Sequence, residues 1–157
     1  MDKNGELNLA ELYQLIRGQI DHEDDLVSQR VLWALLTQAF FFGAYVGLLN
    51  ASREAKNSIF EAEQILFLWL LPTTALLTGL LASAGIHSSL KSVSYLRHLY
   101  EDQERAKASG DHSTKLYPDM QGLPHLRKLA FLTPALMPMI FNVAWLVILG
   151  RLLVAWL

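Results

Sequence analysis

The chain contains no cysteine, and charged residues make up only 18% of its 157 positions. The missing thiols exclude disulfides, thiolate catalysis, iron–sulfur clusters and cysteine zinc sites. Charge is also unevenly spread, because three long blocks contain no charged side chain until Arg151 in the third. Together with 52% hydrophobic residues and a mean hydropathy of +0.25, this pattern predicts an integral membrane protein.

An excess of one sign of charge is absent as well. Thirteen Lys and Arg stand against 15 Asp and Glu, so the formal net charge is -2, and a nucleic-acid partner is not expected. The sequence also lacks a nucleophile–base pair, a phosphate-binding loop and an HExxH motif. We therefore expect a protein that is not an enzyme, and an enzyme acting on lipid is the least favoured class.

The first two apolar blocks predict transmembrane helices at residues 31–50 and 65–86. Each contains 20 or more uncharged residues, which at about 1.5 Å per residue cross the roughly 30 Å hydrocarbon layer. Pro72 lies in the second block, where neighbouring helices or the hydroxyls of Thr73 and Thr74 can satisfy the carbonyl that it frees.

The third span lies within residues 129–157. Proline favours the first turn of a helix, so Pro134 and Pro138 predict a start near Thr133, with Arg151 snorkelling to the interface. The alternative is two re-entrant pieces broken at the two prolines, which would return the carboxyl terminus to its starting side.

Residues 1–30 predict an amphipathic helix rather than a signal peptide, because the first 25 residues are rich in acids and have no apolar core. Its apolar stripe has helical spacing and comprises Leu9, Leu12, Ile16 and Ile20. Residues 51–64 form a short outer loop. The first half of residues 87–128 has no Gly or Pro until Gly110 and predicts a helical extension of the second span, followed by a loop that returns to the membrane.

The distribution of cations predicts the orientation. Ten of the 13 Lys and Arg lie before the first span or in the connection at residues 87–128. The positive-inside rule places both regions in the cytoplasm. We therefore expect a cytoplasmic amino terminus and a cytoplasmic collar, formed by the leading helix and the extension of the second span, that offers a docking surface to a protein partner.

Two stripes of small residues predict close helix packing in lipid. Gly43 and Gly47 form a GxxxG motif in the first span, and Ala75, Gly79 and Ser83 recur at fourfold spacing in the second. Either stripe can join the spans of one chain, or one of them can form a subunit interface. Three thin spans bury little surface, which favours a homo-oligomer surrounded by membrane lipid.

Gln38 and Asn142 are the strongest polar side chains within the predicted spans, and each is costly when it faces lipid. They lie at similar depth, so they can hydrogen-bond within or between subunits, or form polar rings around a pore. Structural hydrogen bonding is the favoured interpretation. The candidates for pore lining or interhelical bonding are Gln38, Thr73, Thr74, Thr78 and Asn142, with Thr37 and Ser83 as further lining candidates.

The hydrocarbon parts of the spans contain no Asp, Glu, Lys, Arg or His if Arg151 snorkels. Proton-coupled pumps, voltage sensors and ion-coupled transporters place such groups there, so these classes are disfavoured. The sequence predicts a homo-oligomeric membrane protein that forms a passive channel or pore. A non-catalytic accessory or scaffold subunit of a membrane complex is the alternative.

Neither a metal nor a cofactor is expected. The acidic cluster at residues 21–25 lacks the glycine turn and alternating ligands of a calcium loop. A solvated acidic helix end, or a partner for the basic residues that follow the second span, is the favoured interpretation. His87 at the end of that span is more typical of an interfacial histidine than of a haem ligand.

The first span resembles one described pattern. Residues 30–45, RVLWALLTQAFFFGAY, are similar to R-x-x-W-x-L-x-x-Q-A-F-x-x-x-A-Y, which is found in small uncharacterised bacterial membrane proteins. The resemblance covers about a tenth of the chain and implies the bacterial inner membrane. It implies no activity, because those proteins have none assigned.

Overall fold

The computed structural model describes residues 9–51, 58–107 and 124–157, with side chains for 10–51, 62–105 and 132–157. They form three α-helices: α1 (Leu9–Asn50), α2 (Ser58–Lys107) and α3 (Pro124–Trp156). Each helix contains a stretch long and apolar enough to cross a membrane. The prediction of an all-α chain with three helices able to span a membrane is therefore confirmed for the described residues.

The first two helices are much longer than a bilayer is thick. With 42 and 50 residues, α1 and α2 extend about 63 and 75 Å, whereas the hydrocarbon layer is roughly 30 Å thick. α1 continues unbroken across the predicted boundary at residue 30, and α2 continues past residue 86 to Lys107. The predicted connection at residues 51–64 is shorter than expected, because α2 already begins at Ser58.

The prolines of α3 do not lie where the sequence predicts. The helix begins at Pro124 and carries Pro134 and Pro138 in its interior, so the prediction that they mark its first turns is wrong. Pro124 takes the first position, where a missing N–H costs nothing. Interior prolines are tolerated in a membrane helix because neighbouring groups satisfy the freed carbonyls. The re-entrant alternative is wrong too, since α3 is one continuous helix.

α1 and α2 pack antiparallel along most of their length. Gln64 Nε2 donates to the Leu48 carbonyl at 3.0 Å, and Ser92 Oγ donates to Glu23 Oε1 at 3.4 Å. Residue numbers therefore fall along α1 as they rise along the facing side of α2. α3 packs chiefly against α2, and the three helices together form a slender bundle.

The bundle has two separate hydrophobic cores. One joins Ile16 and Ile20 of α1 to Val93 and Tyr100 of α2. Tyr13 and Tyr100 contribute an edge-to-face ring pair to this core, with centroids 5.6 Å apart. The other core joins all three helices and is centred on Tyr45, Ala75 and Trp145. The predicted return loop at residues 117–123 lies outside the described residues, and so does the end expected for the second helix at residues 109–111.

Candidate functional site

Gln38 lies between the three helices and is hydrogen-bonded on both ends of its amide. Its side chain is only 1% exposed. Gln38 Oε1 accepts from the indole Nε1 of Trp145 in α3 at 2.6 Å. Gln38 Nε2 donates to the Ala75 carbonyl of α2 at 3.0 Å. One α1 side chain therefore ties α2 and α3 together in a region where water cannot supply bonding partners.

Asn142 lies beside Gln38 and bonds to the next turn of α2. Asn142 Nδ2 donates to Ser83 Oγ at 3.3 Å, and Ser83 Oγ donates to the Gly79 carbonyl at 2.8 Å. A Cβ at Gly79 would overlap Asn142 Oδ1 and lie 3.2 Å from Gln38 Nε2. Only glycine at position 79 lets the two amides approach α2 this closely. We call Gln38, Gly79, Ser83, Asn142 and Trp145 the polar core.

Trp145 covers the other residues of the polar core with its aromatic ring. It is fully buried, stacks on Phe42 with ring centroids 4.2 Å apart, and meets the edge of Tyr45 at 5.8 Å. Sequence reasoning missed Trp145 as a partner of Gln38. The available signal was its spacing of three residues from Asn142, which places the indole and the amide on one face of α3.

The threonine candidates make local bonds. Thr73 Oγ1 donates to the Trp69 carbonyl at 2.7 Å, and Thr78 Oγ1 donates to the Ala75 carbonyl at 2.9 Å. Thr74 is half-buried. The carbonyl that loses its helical donor at Pro72 belongs to Leu68, so Thr73 bonds one residue beyond it. Hydroxyls that bond to the preceding turn are common in membrane helices.

The structure places the two stripes of small residues in different environments. Ala75 and Gly79 are buried against α1 and α3. Gly43 and Gly47 are exposed, and a Cβ built at either would meet no heavy atom within 4 Å. They share one side of α1 with Leu36 and Phe40, which are 56% and 70% exposed. We call these four residues the glycine face.

A groove runs between α1 and α2 and shares no lining residue with the glycine face. It has a volume of about 290 Å³ and is lined by Arg30, Trp33, Thr37, Gln38, Leu81 and Ala82, among others. At one end, Arg30 Nη1 donates to the Gly85 carbonyl at 2.9 Å and to Ser89 Oγ. Sequence reasoning used Arg30 as a topology signal and as the first residue of the resemblance pattern, but not as part of a site. A cation directly before an uncharged span was the feature that could have marked it.

No known family model matches the chain, and neither a curated protein nor a solved structure has a significant match to it. Among the side chains that the structure describes, no group of three or more His, Asp or Glu is placed to hold a metal ion.

Proposed function

We propose that this protein is a non-catalytic accessory or scaffold subunit of a membrane complex, and that it forms homo-oligomers through the glycine face of α1. The supporting observation is that Ala75 and Gly79 of α2 are buried inside the chain, while a Cβ built at Gly43 or Gly47 would meet no heavy atom within 4 Å. The proposal therefore assigns one stripe to folding and the other to assembly.

The glycine face has the chemistry of a helix–helix interface in lipid. Gly43 and Gly47 each lower the helix propensity of α1 by up to about 1 kcal/mol relative to alanine. Within the described chain no packing offsets that cost, since both glycines are exposed. A second helix that approached these two glycines would gain close backbone contact, which is the main attraction available between helices in lipid.

The burial of the polar groups favours a scaffold over a pore through the bundle. Gln38 and Asn142 point into the helix contacts, and Trp145 fills the space beside them. The outward side chains along the spans are large and apolar, as at Trp33, Leu81 and Val154. Water would therefore meet few polar side chains, either within the helix contacts or along the outward surface.

The collar is the region that we propose to dock a protein partner. It consists of residues 9–30 of α1 packed on residues 87–107 of α2, and it has a hydrophobic core of its own. Its outer surface carries Leu15, Tyr95 and Leu99, which are 61%, 67% and 40% exposed. A rigid helix pair with exposed apolar side chains is suited to binding another helix.

We further propose that the collar lies in the cytoplasm and that the protein resides in a bacterial inner membrane. The proposal rests on the excess of Lys and Arg in these regions and on the resemblance of residues 30–45. In Leu15→Cys, a membrane-impermeant thiol reagent should label only inverted vesicles. Labelling in intact cells would show that the collar lies outside the cytoplasm and would contradict the proposed orientation.

Disulfide crosslinking in native membranes tests the assembly interface, because the chain has no cysteine of its own. We expect Phe40→Cys, on the glycine face, to give a crosslinked dimer upon oxidation. Leu81→Cys is the matched control, since residue 81 is 73% exposed but lies on α2. Equal crosslinking at both positions, or none at position 40, would contradict the glycine face as the interface.

A passive pore between protomers is the second candidate function. It is favoured by the absence of Asp, Glu, Lys, Arg and His from residues 31–50 and 65–86. Liposomes containing the purified oligomer should then pass small ions, and Gln38→Leu should leave that flux unchanged, because Gln38 is buried within each chain. No flux from any oligomeric form would remove this candidate.

A further inference from the structure

We propose that the groove between α1 and α2 binds one anionic phospholipid. The lipid phosphate would sit on the Arg30 guanidinium, and one acyl chain would lie along the groove towards Gln38. The groove has a volume of about 290 Å³, close to the roughly 300 Å³ at the lower end of ligand pockets. We call it the Arg30 groove.

The charged end of the groove is positioned at the membrane surface. Arg30 is the last charged residue before the 20 uncharged residues 31–50, so its guanidinium lies where lipid headgroups begin. Its hydrogen bonds within the described part of the chain go to the Gly85 carbonyl and the Ser89 hydroxyl. Both partners are neutral, so the positive charge has no anion there and complements a lipid phosphate.

Arg30 is held in place rather than free in solvent. Its two hydrogen bonds both use Nη1, which fixes the plane of the guanidinium against α2. A Cβ at Gly85 would lie 3.6 Å from Arg30 Cδ, an ordinary van der Waals distance, so the arginine stem runs close along the α2 backbone. The remaining guanidinium nitrogens provide further donors.

The rest of the groove suits an acyl chain. From Arg30 to Gln38 it follows eight residues of α1, or about 12 Å into the hydrocarbon layer. Ala34 and Ala82 line it with small side chains. Trp33 and Leu81 stand at its rim and are 68% and 73% exposed, so the groove opens sideways to lipid.

This arrangement selects a lipid over a peptide as the occupant. A single cation at the headgroup level, followed by an apolar groove along the membrane normal, reproduces the order of phosphate and hydrocarbon in a phospholipid. An interfacial Arg contributes about 1 kcal/mol towards an anionic lipid. The Arg30 groove shares none of its lining residues with the glycine face, so lipid retention and self-association are tested by different substitutions.

Native mass spectrometry of the purified, detergent-solubilised full chain tests the proposal. The chain is mixed with phosphatidylglycerol or phosphatidylcholine carrying identical acyl chains. We expect one phosphatidylglycerol retained per protomer and about fivefold less phosphatidylcholine. Arg30→Gln should lose this preference. Ala82→Phe, which fills the groove, should lower retention of both lipids.

The matched controls are the same two types of substitution, Arg to Gln and Ala to Phe, at positions outside the groove. Arg151→Gln removes a cation from the far end of α3, and Ala155→Phe adds a ring at an exposed position; both should retain phosphatidylglycerol like the unmodified chain. Retention that is equal for the two lipids, unchanged in Ala82→Phe, or abolished by millimolar inorganic phosphate alone would overturn the proposal. If Arg30→Gln does not fold, the comparison of Ala82→Phe with Ala155→Phe and the lipid preference of the unmodified chain still decide it.

Discussion

Gly79 sets the distance between the helices at the polar core. A Cβ at this position would meet the side-chain amides of Asn142 and Gln38, so the bond from Asn142 to Ser83 depends on the empty space where a side chain would be. Gly43 and Gly47 are also glycines, but a Cβ built at either would meet no heavy atom within 4 Å. Identical residues in two apolar helices therefore have different roles, and the difference arises from what packs against each.

Substitution of Gly79 by alanine should destabilise the fold. The new methyl group must displace the Asn142 amide and break its bond to Ser83, which we expect to cost about 1 to 3 kcal/mol. Gly150→Ala is the matched control because its Cβ meets no heavy atom within 4 Å; it should be neutral or up to about 1 kcal/mol more stable. Reversible unfolding in mixed micelles, followed by tryptophan fluorescence, measures both. Equal stability of the two variants would refute this role of Gly79.

At the scale of elements, the collar is an extension of the same helices that form the spans. α1 and α2 pass from one core to the other without a break. Ion pairs within single helices support their polar surfaces, as between Arg17 and Asp21 and between Arg105 and Asp102. Such pairs contribute only about 0.3 to 0.5 kcal/mol each, so apolar burial is the main source of collar stability.

Loss of the collar core should therefore open the collar but leave the spans intact. Ile20 is 1% exposed, and Ile20→Ala should cost about 2 to 5 kcal/mol locally. Hydrogen exchange should then accelerate at residues 10–27 and 90–105, while residues 36–48 stay protected. Leu15→Ala is the control on the same helix, since Leu15 is 61% exposed. Faster exchange in the spans of Ile20→Ala would show that collar and spans unfold together.

At the scale of the whole molecule, hydropathy predicted the three helices because each apolar block is long and almost free of charge. The start of α3 was predicted from its prolines and was wrong, because proline preferences from soluble helices do not fix a helix end in lipid. Gln38 and Asn142 were identifiable because polar side chains are costly in lipid. Their partners could not be identified from the sequence, because the position of the Trp145 indole and the open space at Gly79 depend on how three separate helices pack.

The mass of the detergent-solubilised particle, corrected for bound detergent, tests self-association most directly. One chain has a mass of 17.7 kDa, and the native particle should contain two or more chains. The double variant Gly43→Ile, Gly47→Ile should reduce it to one chain, because isoleucine at the glycine face prevents close approach, whereas Gly150→Ile should keep the native mass. A native particle of one chain, or an oligomer that the double variant leaves unchanged, would contradict assembly through α1.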